Sequence, residues 1–376
     1  MHLSSASSFA FTFTRMNVFK KPIIRISNNN SNNSNSTTSS NNKLLTPKTL
    51  RDGKLPTLLT ITPQQQRDKF DELNEIESNR IIDGLNNPTE SIWALTAAIS
   101  KRNKDRNRYS NVMPWNEARV KLPVKNETTY SDYINASYIK LQIKGDTLIN
   151  RYIACQGPLD TTRNHFWSMC FNELEKQGND VIIIAMVTPL EEQGMVKCDR
   201  YWPELGETWG FQQENLEDGI ALDDLTIKNV NETYDANEDY LLTEFELKSG
   251  LKTKKVYHFY YYKWADAKVP PSVAPLANLS RHINEIKQTS TESQKTQPIP
   301  IIHCSAGVGR SGTFMVYDHL FRDRDKFKEI LDTNHTKDLI YKAVFQLRTQ
   351  RMMMVQTVYQ YQFLYDVAKG VYSGDN

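Results

Sequence analysis

A cysteine followed by a glycine-rich loop and an arginine is the clearest chemical signal of this sequence, in residues 299–314 (IPIIHCSAGVGRSGTF). An apolar strand is predicted to end just before Cys304, and a helix is predicted to begin behind the glycines. Inward-facing backbone N–H groups and the amino end of that helix form an anion cradle, which lowers the pKa of Cys304 and provides a thiolate at neutral pH. Arg310 can fold back and hold two phosphoryl oxygens with its planar guanidinium.

Three alternatives compete with this interpretation. The spacing Cys-x5-Arg alone arises by chance in roughly one sequence in four. Gly307, Gly309 and Gly312 also match the G-x-G-x-x-G pattern of a dinucleotide-binding fold, although helices rather than a βαβ unit are predicted to follow, and Cys304 and Arg310 would have no role. A buried structural cysteine is the commonest form of a free cysteine, although the Gly, Ser and Arg neighbours fit it poorly.

Alternating and apolar runs predict a central sheet, and helical spacing dominates after Gly312. The predicted strands are 151–156, 180–187, 240–249, 254–264 and 299–303. The predicted helices are 70–85, 90–105, 313–331, 337–350 and 357–370, and residues 287–298 are predicted to form a surface loop. The fold class is therefore α/β, with a central sheet flanked by helices.

Residues 1–64 are predicted to be a disordered basic tail, and residues 65–376 one globular domain. Every residue from 27 to 42 is Asn, Ser or Thr, so this tract has no apolar side chains to bury. Residues 1–51 carry seven basic side chains and no acidic one, which makes the rest of this +2 chain acidic. We expect a cytoplasmic protein; the alternative is mitochondrial import directed by the Ser-rich start, and translation could begin at Met1 or Met16.

Composition excludes several classes of function. The 46 Lys and Arg nearly balance the 44 Asp and Glu, so no overall basic field indicates nucleic-acid binding. The longest apolar run, 181–187, is far shorter than the roughly 20 residues of a membrane span. The four cysteines show no CxxC spacing, which favours a reducing compartment.

Residues 303–314 (HCSAGVGRSGTF) resemble the signature of the cysteine-dependent protein tyrosine phosphatases. Other motifs of that family follow the same chain order: RNRYSNVMPW, DYINASYI, CQGPLDTTRNHFW, KCDRYWP and QRMMMVQTVYQYQF. The resemblance covers about residues 65–370 and implies a highly twisted mixed β-sheet flanked by helices, in a non-receptor, monomeric enzyme with a single catalytic domain. The Asn- and Ser-rich tail favours a cytosolic enzyme of fungal type. The resemblance also implies hydrolysis of phosphotyrosine in partner proteins during signalling, with no metal or organic cofactor.

The resemblance implies a role for each residue of the loop. Cys304 would attack phosphorus and become a phosphocysteine, while Arg310 and the loop N–H groups hold the equatorial oxygens. The loop residues that would bind phosphate are Ser305, Ala306, Gly307, Val308 and Gly309. Ser311 would donate a hydrogen bond that favours departure of the thiolate. His303 would order the loop, unless it is simply a satisfied core histidine.

Asp266, the general acid implied by the resemblance, lies in a segment that departs from the family pattern. The family has Trp-Pro-Asp, whereas this chain has Trp264-Ala265-Asp266, followed by Ala267 and Lys268. Without proline we expect a looser loop with an altered balance between open and closed states. This departure motivates an alternative function, a substrate-trapping module with weak turnover, although the nucleophile and the acid are both present.

The remaining site residues are also carried over from the motifs. Glu192 would orient the arginine, unless it is a solvated loop carboxylate, and Lys197 would contact the acid loop. Gln356 would position the hydrolytic water with help from Gln360, unless both lie on a polar helix face. Tyr109 would form the wall of the pocket, and Asn111 would accept a hydrogen bond from the substrate backbone N–H. Arg348 and Arg351 are candidates for contacts with acidic groups or a second phosphotyrosine, or for domain packing. A deep pocket walled by an aromatic ring favours phosphotyrosine and argues against a dual-specificity enzyme.

Overall fold

The computed structural model describes residues 55–142, 148–213, 218–237, 239–293 and 296–374, which belong to one compact unit, Pro47–Asn376. The predicted tail lies outside the described residues as far as residue 54. The boundary predicted at residue 65 stays a prediction. Helix α1 (Thr57–Thr60) lies before this predicted boundary. Its Leu58 is completely buried, and the helix contacts the C-terminal helix α9 (Val358–Ser373).

Nine strands of the described residues form one mixed sheet. Its members are β1 (Arg119–Lys121), β2 (Tyr133–Gln142), β3 (Ile149–Cys155), β4 (Val181–Met186), β7 (Thr208–Phe211), β8 (Leu225–Tyr234), β9 (Leu241–Ser249), β10 (Lys252–Tyr260) and β11 (Ile301–His303). Their spatial order is β1-β2-β3-β11-β4-β10-β9-β8-β7. β11 is parallel to both of its neighbours, β3 and β4, and β4 is parallel to β10. The strands β5 (Glu191–Glu192) and β6 (Met195–Val196) form a separate hairpin.

Helices cover both faces of this sheet. They are α2 (Pro63–Asn86), α3 (Thr96–Ile99), α4 (Arg163–Gln177), α5 (Ala274–Ser293), α6 (Gly309–Leu320), α7 (Arg324–Thr333) and α8 (Leu339–Arg348), besides α1 and α9. Side chains of β11 alternate between two cores, because Ile302 packs with α5 to α9 and Ile301 packs with α4. The predicted α/β fold with a central mixed sheet is therefore confirmed.

The five predicted strands are present with small shifts of their ends, but two predicted helices are wrong in part. Residues 90–105 form only α3 and a 3-10 turn, Lys101–Arg106. The buried amide of Asn103 bonds Ala97 O and Ser131 Oγ, so the chain is held by side-chain hydrogen bonds that compete with a helix. The helix predicted over 313–331 is broken after Leu320, and Asp323 caps the start of α7.

The loop predicted at 287–298 is wrong in its first half, since α5 continues to Ser293. Polar residues of this helix face a buried carboxylate of α6, Asp318. Ser280 donates to it at 2.6 Å, and the buried Lys287 lies near enough to lower its pKa against the effect of burial. Burial of this face outweighs the low helix propensity of the Ser- and Thr-rich segment.

The carboxyl ends of the parallel strands β3, β11, β4 and β10 meet at one edge of the sheet. The loop 304–308 leaves β11 at this edge and enters α6. Gly307 has φ of +72°, and a Cβ atom there would lie 1.9 Å from Cys155 O. Only glycine therefore fits, because a side chain would collide with the backbone of β3.

We expect Gly307→Ala to destabilise the protein by about 2–4 kcal/mol, since the left-handed backbone and the collision both add cost. The matched control is Gly178→Ala, at φ of +63° with no atom within 4 Å of the added Cβ. The control should lose only about 1 kcal/mol. Urea unfolding of both variants measures the difference, and equal losses would contradict this account of the loop.

Candidate active site

Cys304 lies at the end of β11, in front of the amino end of α6, and is only 3% exposed. Burial alone would raise the pKa of its thiol. The Arg310 guanidinium, the Ser311 hydroxyl and the backbone N–H groups of Ser311 and Val308 outweigh this effect and hold the pKa below its ordinary value. The geometry therefore favours a thiolate, the form in which cysteine is a nucleophile.

The three other cysteines differ from Cys304 in this respect. Cys155, Cys170 and Cys198 are buried and free, and burial raises the pKa of each thiol, that of Cys155 to about 12. These thiols are uncharged at neutral pH, so reactivity is concentrated at one cysteine.

Arg310 is buried within the first turn of α6, and only part of its guanidinium is occupied. Nη1 donates to Trp264 O at 2.8 Å, and Nη2 lies 3.3 Å from Asp266 Oδ1. Nε has no hydrogen-bond partner among the described residues. Glu192 Oε2 lies 3.9 Å from Nη1, in the place expected of an orienting carboxylate. The guanidinium thus retains donors for an anion bound above Cys304.

The segment 264–268 lies against this site. Asp266 Oδ2 is 2.9 Å from Lys197 Nζ, and its backbone N–H donates to the Glu192 carboxylate at 3.0 Å. Burial would raise the pKa of the Asp266 carboxyl, but Lys197 and Arg310 lower it. Glu192 therefore contacts both the arginine and the acid loop, a double role that the motifs did not indicate.

Ala265 does not prevent the loop from being anchored. Trp264 is fully buried, and its Nε1 donates to Lys268 O at 2.8 Å. The N–H of Lys268 donates to Ala265 O at 3.3 Å, and Gln360 Nε2 donates to Lys268 O at 3.4 Å. The tryptophan side chain thus closes a turn that proline restrains in the family pattern.

Three segments meet at Ser305. Its hydroxyl donates to Lys197 O at 2.6 Å, so Tyr109 must be the donor in the 2.8 Å bond between the two hydroxyls. Tyr109 thus lies beside the loop, as expected of a pocket wall, whereas Asn111 is exposed on the turn that follows.

The comparison with known proteins decides what this site belongs to. The family model described as protein-tyrosine phosphatase matches residues 103–369. This chain belongs to the protein-tyrosine phosphatase family. The prediction of an enzyme of this family is therefore confirmed.

Curated relatives and solved structures agree with the family. Tyrosine-protein phosphatase 1 of Saccharomyces cerevisiae is 38% identical over 80% of this chain and 92% of that protein. Tyrosine-protein phosphatase 1 of Schizosaccharomyces pombe is 31% identical over 80% of this chain, which spans only 50% of that relative. A structure of PTPN18 in complex with HER2 phosphopeptides has a TM-score of 0.61 and 25% identity, covering 81% of this chain and 92% of that one.

In this phosphatase the two glutamines lie beside the loop but differ in their partners. A Cβ at Gly309 would lie 3.1 Å from Gln360 Oε1 and 3.2 Å from Gln356 Oε1. Gln360 is buried, and its Oε1 accepts from the N–H groups of Gln356 and Thr357 in a helix cap. Gln356 is exposed. The geometry leaves Gln356 as the better candidate to contact a water, while Gln360 fixes its backbone.

His303 is buried beneath the loop in a network that the sequence did not reveal. Its Nδ1 lies 3.1 Å from Cys304 O, and its Nε2 lies 2.7 Å from the Tyr201 hydroxyl. That hydroxyl is also 2.7 Å from His258 Nε2. Burial lowers the pKa of His303 to about 4, so the ring is neutral and donates from Nδ1 to Cys304 O. His303 therefore is both a core histidine and a support of the loop.

Neither Arg348 nor Arg351 is available to a second phosphotyrosine, since their exposed fractions are 1% and 0%. Arg348 donates to the carbonyls of Met354 and Val355 and lies 4.0 Å from Glu77. These bonds hold the left-handed backbone at Val355, where φ is +59°. Domain packing is therefore the role that the structure gives Arg348.

The described residues contain neither a cluster of metal-binding side chains nor a helix that could span a membrane. No group of three or more His, Cys, Asp or Glu side chains is placed to hold a metal ion there. In the same part of the chain, no helix combines the length and apolar character needed to cross a bilayer.

We expect iodoacetate at about pH 6.5 to modify Cys304 and leave the other cysteines unmodified, because only the Cys304 thiol has a lowered pKa. Peptide mass mapping after limited reaction measures this selectivity. Cys304→Ser should remove the modification. Labelling of Cys155 or Cys198 at a comparable rate would contradict the assigned pKa order.

Proposed function

We propose that this phosphatase hydrolyses phosphotyrosine in proteins through a phosphocysteine intermediate on Cys304. The observation that supports it most is a buried thiol at the amino end of α6 beside Arg310, whose guanidinium has unused donors among the described residues. The thiolate attacks phosphorus in line, a P–S bond forms, and the bond from phosphorus to the tyrosyl oxygen breaks. Arg310 and the N–H groups of residues 305–309 stabilise the charge on the equatorial oxygens.

Asp266 is proposed to give its proton to the departing tyrosyl oxygen. In the second step a water attacks phosphorus, Asp266 takes a proton from that water, and the P–S bond breaks to release phosphate and the thiolate. Gln356 positions the water with support from Gln360. The Ser311 hydroxyl, which is among the groups that lower the pKa of Cys304, assists the departure of the thiolate.

The surrounding residues are assigned to orientation. Glu192 fixes Arg310 and the backbone of Asp266, while Lys197 holds the Asp266 carboxylate. His303 supports the loop from below through Cys304 O. These contacts support a position of Asp266 within reach of the active site. They therefore favour an enzyme that turns over its substrate, and not the alternative in which Ala265 weakens turnover and leaves a substrate-trapping module.

The proposed substrates are phosphotyrosine-containing proteins, because Tyr109 walls the pocket and PTPN18, a structural neighbour, has been solved with HER2 phosphopeptides. Asn111, exposed on the turn that follows Tyr109, is proposed to accept a hydrogen bond from the substrate backbone N–H. We further propose a monomeric cytoplasmic enzyme that acts in signalling and needs no metal or organic cofactor.

The decisive experiment compares phosphotyrosine and phosphoserine peptides with EDTA present; only the former should be hydrolysed, and Cys304→Ser should abolish turnover while retaining binding. Asp266→Ala should lower kcat on phosphotyrosine by roughly 10²–10⁴, the usual contribution of a general acid. The loss should be much smaller on an aryl phosphate whose leaving group needs no proton. Equal losses on both substrates would exclude Asp266 as the acid.

Lys197→Met tests the electrostatics of the acid. Lys197 lowers the pKa of Asp266, so its removal should raise that pKa and keep the acid protonated to higher pH. The descending, alkaline limb of the kcat/KM profile should therefore move to higher pH. The control is Lys263→Met, since Lys263 pairs with Asp239 and not with the acid. A limb that stays in place, or moves to lower pH, would refute this coupling.

A further inference from the structure

Arg351 is a fully buried arginine behind the loop 304–309 whose charge has no carboxylate partner among the described residues. It contrasts with Arg348, three residues earlier, which is equally buried but lies near Glu77. An unpaired buried charge is costly, and such a charge is retained where another ion is bound or formed nearby. The charged or titratable groups that influence Arg351 are Cys155, Tyr133 and Cys304.

The guanidinium of Arg351 binds the outer side of the loop. Nε donates to Gly307 O and Nη2 donates to Ala306 O, both at 3.0 Å. Two buried side chains of β2 hold the guanidinium in place, with Asn135 Oδ1 at 2.7 Å from Nη2 and Ser137 Oγ at 3.3 Å from Nη1. The motif DYINASYI thus supplies acceptors that aim one arginine at two adjacent peptide groups.

These two bonds determine which way the loop N–H groups point. The described peptide bonds are all trans, so a carbonyl that faces Arg351 directs the N–H of the next residue to the opposite side. Fixing Gly307 O therefore turns the N–H of Val308 toward the sulfur of Cys304. That N–H is one of the groups that lower the pKa of the thiol.

We propose that Arg351 is a positioning residue and a buried counter-charge for the anion of the active site. It orients the peptides of residues 306–308 so that their N–H groups face the thiolate and the phosphoryl oxygens, and its charge stabilises both from behind. Arg310 acts on the same anion from the front. The inference rests on the proposed function only in taking Cys304 as the nucleophile.

The pKa of Cys304 also depends on other groups around it. From α6 it faces Arg310 and Ser311; Cys155 on β3 and Cys198, which follows β6, are uncharged thiols. Changing Arg351 leaves all of these in place, so a change in thiol reactivity reports the loss of its charge or of the orientation it imposes.

The test uses the full chain with Arg351→Met, Arg351→Lys and the matched control Arg348→Met. Three quantities are measured: the melting temperature, the rate of alkylation by iodoacetate against pH, and inhibition of that alkylation by orthovanadate, which reports occupancy of the cradle. None of these requires turnover. Hydrolysis of a phosphotyrosine peptide by the unaltered protein is measured beside them.

With Arg351→Met we expect alkylation at about pH 6.5 to slow by roughly tenfold and orthovanadate to protect at least about tenfold less well. Arg351→Lys keeps the charge but cannot donate to both carbonyls, so alkylation should stay within about threefold of the unaltered protein while protection by orthovanadate weakens. Arg348→Met should lower the melting temperature. The alkylation rate and the protection by orthovanadate should both stay within about twofold, because Arg348 bonds the carbonyls of Met354 and Val355 and not those of the loop.

Unchanged alkylation in a folded Arg351→Met protein would overturn the counter-charge. Unchanged orthovanadate protection in Arg351→Lys would overturn the positioning role, and this variant decides alone if Arg351→Met does not fold. Equal loss of protection in Arg348→Met would show that any buried arginine of this segment has the same effect, and would also overturn the proposal. If the unaltered protein is active but the variants keep its alkylation rate and its protection by orthovanadate, only this inference is refuted. If the unaltered protein is inactive on phosphotyrosine peptide, the proposed function is refuted.

Discussion

The structure depends on keeping an anion inside a site that is almost closed to water. Cys304 is 3% exposed, and a thiolate there is stable only if donors and cations surround it. The sheet order provides this arrangement, because β11 is central and its carboxyl end is flanked by those of β3 and β4. The loop can therefore be surrounded on both sides, while α6 presents its amino end from behind. The positive φ at Gly307 and the buried Arg310 follow from the same requirement.

The hairpin β5–β6 connects the loop of Cys304 to the segment of Asp266. Glu192, on β5, contacts Arg310 and the backbone of Asp266, and Lys197, just after β6, contacts the Asp266 carboxylate and accepts from Ser305 through its carbonyl. The Asp266 side chain is therefore positioned by this hairpin as well as by its own segment. The position of Asp266 in this structure is therefore held by contacts made outside the segment Trp264-Ala265-Asp266, and these contacts do not require a proline at residue 265.

The signature around Cys304 and the strongly apolar strands made the fold and the centre of the site predictable from the sequence, because local pattern and function coincide there. Elements whose structure depends on distant burial were not predictable. Helix α5 continues through a Ser- and Thr-rich end, where Lys287 is buried near Asp318 of α6. His258 and Arg351 act through contacts with residues far away in the sequence, and a lone histidine in a strand or an arginine in a loop carries no local signal of such a role.

The electrostatics also explain how an acid with a lowered pKa can serve the proposed mechanism. Without substrate, Asp266 is the anionic partner of Arg310 and Lys197, which hold its pKa low. A phosphate dianion bound to Arg310 would replace Asp266 as the anionic partner of this arginine. The dianion would also add negative charge beside the Asp266 carboxylate. Both changes raise the pKa of Asp266, since a like charge disfavours the ionised form. Binding of the dianionic substrate therefore favours the protonated acid that transfer to the tyrosyl oxygen requires, and Arg351, buried behind the loop, keeps the thiolate ionised meanwhile.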